Sequence, residues 1–177
     1  MNWTLEVVVV PVTDVDRAKA FYAGRLGFAV DHDTEISEDT RIVQLTPPGS
    51  GCSVVIGKGL SEMKPGSLQG LQLVVSDLRA ARAQLIERGV EVGEIQIAGP
   101  AGFRPAEEGD DLNNQGFVFF GDPDGNGWAV QQITARGRPR FRRARGAPPV
   151  RSRPGVMVPV TRPARDRDQP GRGSSAR

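Results

Sequence analysis

The sequence predicts an α+β fold made of two βαβββ units, and three observations predict it. A strand, a Thr/Ser-Asp pair and a helical stretch occur twice at an offset of 63 residues. The two copies are Val10-Pro11-Val12-Thr13-Asp14-Val15-Asp16-Arg17-Ala18 and Leu73-Val74-Val75-Ser76-Asp77-Leu78-Arg79-Ala80-Ala81. Each helical stretch is followed by short apolar strands separated by Gly- and Pro-rich breakers. Composition changes after Ala135, so the periodic segments all lie before it.

The elements follow in order. Val7 to Val10 is an apolar run of strand length. Thr13 and Ser76 are predicted N-caps, because a hydroxyl can accept a free amide of the first helical turn. Asp16, three residues after Thr13, completes a capping-box-like pattern. Val15, Ala18, Tyr22 and Leu26 recur at helical spacing, as do Leu78, Ala81 and Leu85. The helices are predicted to stop near Gly27 and Gly89, where a left-handed cap costs little. Extended segments follow at 28–30 and 90–92. Strands are then expected at 41–45, before Pro47-Pro48-Gly49, and at 53–56, before Gly57. In the second unit, 116–120 leads into the turn Asp122-Pro123-Asp124-Gly125-Asn126-Gly127, and 128–133 forms the last strand. One domain therefore occupies 1–135, with repeat one at 5–57 and repeat two at 70–133, and the helices cover one face of the sheet.

The connection from Ala98 to Gln115 exceeds ordinary loop length, which marks it as functional or mobile. It carries Phe103 and Arg104 between Pro and Gly. They are expected either to form a lid over a pocket, suited to an anionic or aromatic ligand, or to lie in a solvent-exposed loop. The run Glu107, Glu108, Asp110 and Asp111 reads as a solvated surface.

A formal charge of +2 for the 177 residues hides a split. Residues 1–135 hold 10 Lys+Arg against 19 Asp+Glu, a net of −9, whereas 136–177 hold 13 Arg against Asp166 and Asp168, a net of +11. The acidic domain disfavours nucleic acid as its own ligand. The Arg/Pro/Gly/Ser-rich tail is expected to be disordered, since it cannot bury enough apolar surface to offset its ordering entropy. It would touch nucleic acid weakly and non-specifically, if at all, because Phe141 is its only aromatic. Cys52 is the only cysteine, which excludes an internal disulfide and a thiolate metal cluster. Val7 to Val10 is too short for a signal core or a membrane span. A cytoplasmic protein with no membrane partner is expected.

The segments VTDVDRAKAFYAGRLGF, VVSDLRAARAQLIERGV and FGDPDGNGWAVQ resemble the glyoxalase/bleomycin-resistance/dioxygenase superfamily, the vicinal oxygen chelate fold, over nearly all of 5–133. The resemblance implies that two βαβββ units curl a sheet into a half-open barrel around the site, with helices outside, and that the chain forms a homodimer. Metal-bearing members isomerise, epimerise or oxygenate substrates that chelate a divalent ion through neighbouring oxygens. The resemblance places their His or Glu ligands on the first strand of each half, on a later strand of the first half and on the last strand. Here those positions fall on Val7, on Gly70, on the strand Ser53-Val54-Val55-Ile56 and on Ala129. None offers a carboxylate or imidazole. The only histidine, His32, lies elsewhere, in Asp31-His32-Asp33, where adjacent side chains point to opposite faces. No metal site and no cofactor are expected.

Strand alternation sets Gly70, Gln72 and Val74 on one face, and Leu71, Leu73 and Val75 on the other, which suits helix packing. Ala129 and Gln131 likewise share a face. Gln72 and Gln131 each stand two residues beyond a position where the resemblance places a ligand, so both are expected to point inward. Neutral amides coordinate a catalytic divalent ion poorly but recognise a polar organic molecule well; alternatively they bond each other or a buried water. Gln44 is a third ligand-binding candidate. Trp128 belongs either to the core or to the pocket wall. The sequence has no phosphate loop, no dinucleotide-binding glycine pattern opening a helix and no nucleophile elbow.

The function expected from these readings is metal-independent binding of a small organic ligand. The resemblance extends this to sequestering a toxic or antibiotic-like compound, as the antibiotic-sequestering branch does. Two alternatives stand beside it. One is a lyase, isomerase or dioxygenase of the same superfamily, which would need an acid–base pair where the inward-facing candidates are amides. The other is a nucleic-acid-associated protein acting through the tail.

Overall fold

The computed structural model describes residues 3–134. The basic segment 136–177, for which disorder and weak nucleic-acid contact are expected, lies outside the described residues. The fold is α+β, with strands shared between two sheets. In the first half, β1 (Val7–Val9) leads into α1 (Val15–Lys19), which continues as a π-helical turn over Ala20–Arg25. Then come β2 (Ala29–Ser37), β3 (Thr40–Thr46) and β4 (Ser53–Lys58), giving a four-stranded sheet in the order β1-β4-β3-β2. The second half runs β5 (Leu71–Val75), α2 (Leu78–Glu87), β6 (Gln96–Gly99), β7 (Gly102–Pro105), β8 (Gly116–Gly121) and β9 (Gly127–Gln132), in the order β5-β9-β8-β6-β7. In each sheet the first strand runs parallel to the last, and the other pairings are antiparallel.

Three local expectations need correction. Both helices start one residue later than Thr13 and Ser76 imply. The caps are Asp14 and Asp77, whose Oδ1 atoms accept the amides of Arg17 (2.9 Å) and Ala80 (3.0 Å). A carboxylate at a helix N-terminus also meets the positive end of the helix dipole, which favours Asp over its hydroxyl neighbour. No capping box forms with Asp16, which instead accepts Arg41 Nη1 at 2.9 Å. Second, the strand expected at 90–92 is reduced to a single bridge between Val92 and Phe120. Third, the long connection is partly ordered: β6 and β7 form a hairpin, with Ala98 opposite Phe103. The helix ends do fall at glycine, with Gly27 and Gly89 both at φ 74°.

The core lies between the sheets and their helices. Ala18 and Tyr22 of the first helical segment and Leu78 of α2 are fully buried, among Val43, Leu45, Ile56, Val118 and Trp128. Tyr22 stacks on Phe28, and Phe120 stacks on Trp128 with ring planes 4° apart. Leu71, Leu73 and Val75 pack against this core, which leaves Gln72 and Val74 on the opposite face of β5.

On the helix side of the first sheet, Asp33 accepts Arg41 Nε at 2.9 Å and Lys19 Nζ at 2.7 Å. The Arg41 hydrogen bond, and then that of Lys19, hold the Asp33 carboxyl well below the usual carboxylate range. A depressed folded value means that this contribution is present above the unfolded aspartate pKa of about 3.9 and is lost as pH falls below it. Urea melts at pH 7 and pH 3 should therefore show a smaller acid loss for Arg41→Gln than for the wild type. Equal losses would mean that Asp33 does not drive the acid response.

Candidate functional site

The open face of the second sheet, turned away from the core, is defined by strand register. Gln72, Ala129 and Phe119 stand side by side across β5, β9 and β8. The next row is Val74, Gln131 and Phe117. Gln96 lies opposite Phe117, and on β6 and β7 Ala98 lies opposite Phe103, continuing the same face. Phe117 and Phe119 are two residues apart on one strand and stack nearly parallel, at 7°. Phe103 meets both edge-on, at centroid distances of 5.5 and 5.2 Å. Phe103 is 53% and Phe119 39% exposed, so this aromatic trio is open to solvent. The strand positions of this face carry no titratable side chain.

The two amides are joined. Gln72 Nε2 donates to Gln131 Oε1 at 2.7 Å, and Gln131 Nε2 donates to the Asn114 carbonyl at 2.7 Å. Of the two readings open to them in the sequence, mutual bonding is present, and it fixes both side chains on the open face. Gln72 and Val74 also border a cavity of about 380 Å³ at the free edge of β5, lined on its far side by Phe28 and by Pro47, Pro48 and Ser50 of the first half. A second cavity, of about 480 Å³, lies between 9–15 and 57–65, and none of the sequence-predicted residues lines it.

The other candidates separate from this pair. Phe103 joins the open face, but as part of an edge strand. Arg104 pairs with Ile97, which is buried in the core, so it points to the opposite side of the sheet. There it makes a bidentate pair with Asp110, at 2.7 and 2.8 Å, and that hydrogen bond raises its pKa. Trp128 is core, 4% exposed, with its Nε1 donating to Tyr22 OH at 3.2 Å. Gln44 lies on the first sheet, opposite His32, and donates to Ser53 Oγ at 3.2 Å. Ser53 in turn shares a hydrogen bond with Thr46, which donates to Asp31. This polar row is separate from the Gln72–Gln131 pair.

Sequence reasoning missed Phe117, Phe119 and Asn114. A signal for the two phenylalanines existed, since alternation in Gly116-Phe117-Val118-Phe119-Phe120 sets them on one face around an inward Val118. Nothing comparable marked Asn114, whose carbonyl matters here rather than its side chain.

Val7, Gly70 and Ala129 have no donor side chain, and within 53–56 of β4 only the Ser53 hydroxyl is present. Among the described residues, no group of three or more His, Cys, Asp or Glu could hold a metal ion. No helix among them is long and apolar enough to cross a membrane.

Comparisons with known proteins bear on the same region. The family model described as the Glyoxalase/Bleomycin resistance protein/Dioxygenase superfamily matches residues 4–130. The structure is similar to that of TnmS3, an antibiotic binding protein from Streptomyces sp. CB03234, with 32% identity over 75% of this chain and 97% of that one, at a TM-score of 0.58. A glyoxalase/bleomycin resistance protein from the same Streptomyces strain is 33% identical, over 73% of this chain and 100% of that one, with a TM-score of 0.56. A superfamily member from Sphaerobacter thermophilus DSM 20745 is 28% identical over 74% and 98% of the two chains, with a TM-score of 0.59. No curated protein matches the chain.

Proposed function

This chain belongs to the Glyoxalase/Bleomycin resistance protein/Dioxygenase superfamily, and from that premise we propose that it is a metal-independent protein that binds a small organic molecule on the open face of its second sheet. The observation that carries this reading is the hydrogen-bonded pair Gln72–Gln131 beside an exposed aromatic trio, around the position Ala129 where a chelating relative needs a ligand. The donor set does not fit a divalent ion, which wants three or more convergent carboxylates or imidazoles. Amides do not titrate near neutrality, so this face suits recognition rather than acid–base chemistry. Apolar rings with a few placed polar groups are the usual lining of a small-molecule site.

That TnmS3 is an antibiotic binding protein supports an antibiotic-like or toxic compound as the molecule sequestered. A homodimer is part of the proposal. β1 and β5 each leave one edge unpaired among the described strands, and Trp3, Leu5 and Val7 stand exposed at the first of these. The free thiol of Cys52 suits a reducing cytoplasm.

A thermal-shift screen of aromatic and anionic compounds on the full chain tests the reading. A stabilising compound is expected to lose about three- to tenfold in affinity with Gln72→Leu or Gln131→Leu, the worth of one hydrogen bond, while far-UV dichroism stays unchanged. If both variants bind as the wild type does, the binding face lies elsewhere. Retention of about one Ni, Zn, Mn or Fe(II) per chain through desalting would overturn the metal-independent part.

A further inference from the structure

The direction of the amide relay sets what it can recognise. A backbone carbonyl oxygen only accepts, so the end of Gln131 facing Asn114 must be its NH₂ group. Oε1 of Gln131 then faces Gln72, and Gln72 must meet it with Nε2. Asn114 is itself held: it adopts φ 64°, and its amide donates to the Gln132 carbonyl at 2.8 Å. One fixed carbonyl therefore orients both glutamines. The relay ends at Gln72 Oε1, an acceptor with no protein partner among the described residues.

The surroundings of that acceptor add shape and charge. Gln72 and Phe119 flank Ala129, the smallest side chain in its row, and with strands about 4.8 Å apart they stand roughly 10 Å from each other. Ala129 itself is buried, so a flat ring system meets this row on the exposed ring of Phe119, with its edge toward the exposed Gln72. No strand position of the face offers a countercharge, and Arg104, the nearest cation in sequence to Phe103, is turned away and paired with Asp110. An anion meets the negative ring faces with no countercharge, and an ammonium, though those faces attract it, would lose more hydration than the single acceptor Gln72 Oε1 returns.

We infer that this face takes an uncharged, flat aromatic molecule whose hydrogen-bond donor, a phenolic O–H or an amide N–H, meets Gln72 Oε1. The inference rests on the binding reading above and narrows it, dropping the anionic class.

Calorimetric titration of the full chain at pH 7 with four naphthalenes tests it: 2-naphthol, 2-methoxynaphthalene, 2-naphthoate and 2-naphthylmethylammonium. The expected result is that 2-naphthol binds about three- to tenfold more tightly than 2-methoxynaphthalene, and that both charged probes bind more weakly than either. Gln72→Leu should remove the advantage of 2-naphthol and keep 2-methoxynaphthalene binding. Equal affinity for the two neutral probes in the wild type would overturn the donor assignment. Tightest binding of the carboxylate or the ammonium, lost in Phe119→Ala, would overturn the uncharged class and leave the binding face standing. Binding of none of the four overturns the inference. If light scattering then also shows that Phe103→Ser with Phe119→Ser dissociates an oligomer, a second copy covers the face and the proposed function falls with it.

Discussion

Asp122→Ala is expected to lower the unfolding free energy by about 4 kcal/mol, a large part of the 5–15 kcal/mol that holds a typical domain together. Asp122 is 6% exposed and accepts four hydrogen bonds. Its Oδ1 takes the amides of Asp124 (2.9 Å) and Asn126 (2.8 Å), and its Oδ2 takes Tyr22 OH (2.7 Å) and Asn126 Nδ2 (2.8 Å). Asn126, fully buried, carries the connection onward through Nδ2 to the Pro11 carbonyl and through Oδ1 to the Leu68 amide. Asp124 continues it, accepting from the amide and hydroxyl of Thr13 and from Arg17. The turn before the last strand thus ties the second half to the start of the first helix. Removing the carboxylate strands the Tyr22 hydroxyl in the core with no acceptor, and each buried unmet donor costs about 1–3 kcal/mol.

Urea unfolding measures the loss, and Tyr22→Phe is the control. It should cost about 1–2 kcal/mol, because the ring stacking survives. In the double variant the tyrosine change should cost less than it does alone, since its acceptor is already gone and only the hydrogen bond from Trp128 Nε1 remains to be lost. A loss below about 1 kcal/mol for Asp122→Ala would show that the carboxylate is not the hub. Burial, and then the nearby Asp122, push the Tyr22 hydroxyl above the ordinary tyrosine range. A raised folded value gives a contribution that is present below the unfolded pKa of about 10 and lost as pH rises past it, so Tyr22→Phe should flatten alkaline unfolding.

What the sequence reveals follows from where burial leaves a pattern. β4, β8 and β9 alternate or run apolar because one face or both meet the core, and their positions were legible to within a residue or two. β2 was not, beyond its first residues: its segment Asp31-His32-Asp33-Thr34-Glu35 is exposed on both faces and pairs only with β3, so no apolar period marks it. The β6–β7 hairpin escaped for the same reason, since of its eight strand residues only Ile97 is buried. The shared face of Gln72 and Gln131 was legible, because two-residue alternation and the packing of Leu71, Leu73 and Val75 leave no other choice. The facing of Phe103 and Arg104 required the hairpin register, and once Ile97 is known to be core, Arg104 is excluded from the open face.

The open face itself is best tested by Phe119→Ala. Phe119 is 39% exposed and its ring contacts Phe103 and Phe117 rather than the core, so truncation should cost the fold no more than about 1 kcal/mol. Binding should respond far more. An aromatic platform contributes about 1–3 kcal/mol to holding a flat ring, which corresponds to a drop of roughly 5- to 150-fold for 2-naphthol. Gln72→Leu removes one hydrogen bond and should cost less, so the stacking partner, not the amide, should dominate affinity, while the amide decides between donor and non-donor probes. The combined variant separates the two contributions: near-additive losses mean that ring and amide act on different parts of one bound molecule. If Phe119→Ala binds as the wild type does, the ligand does not rest on this ring, and the 380 Å³ cavity at the free edge of β5, which reaches round to the core-facing Leu73 and Val75 and to Leu85 of α2, becomes the alternative place for it.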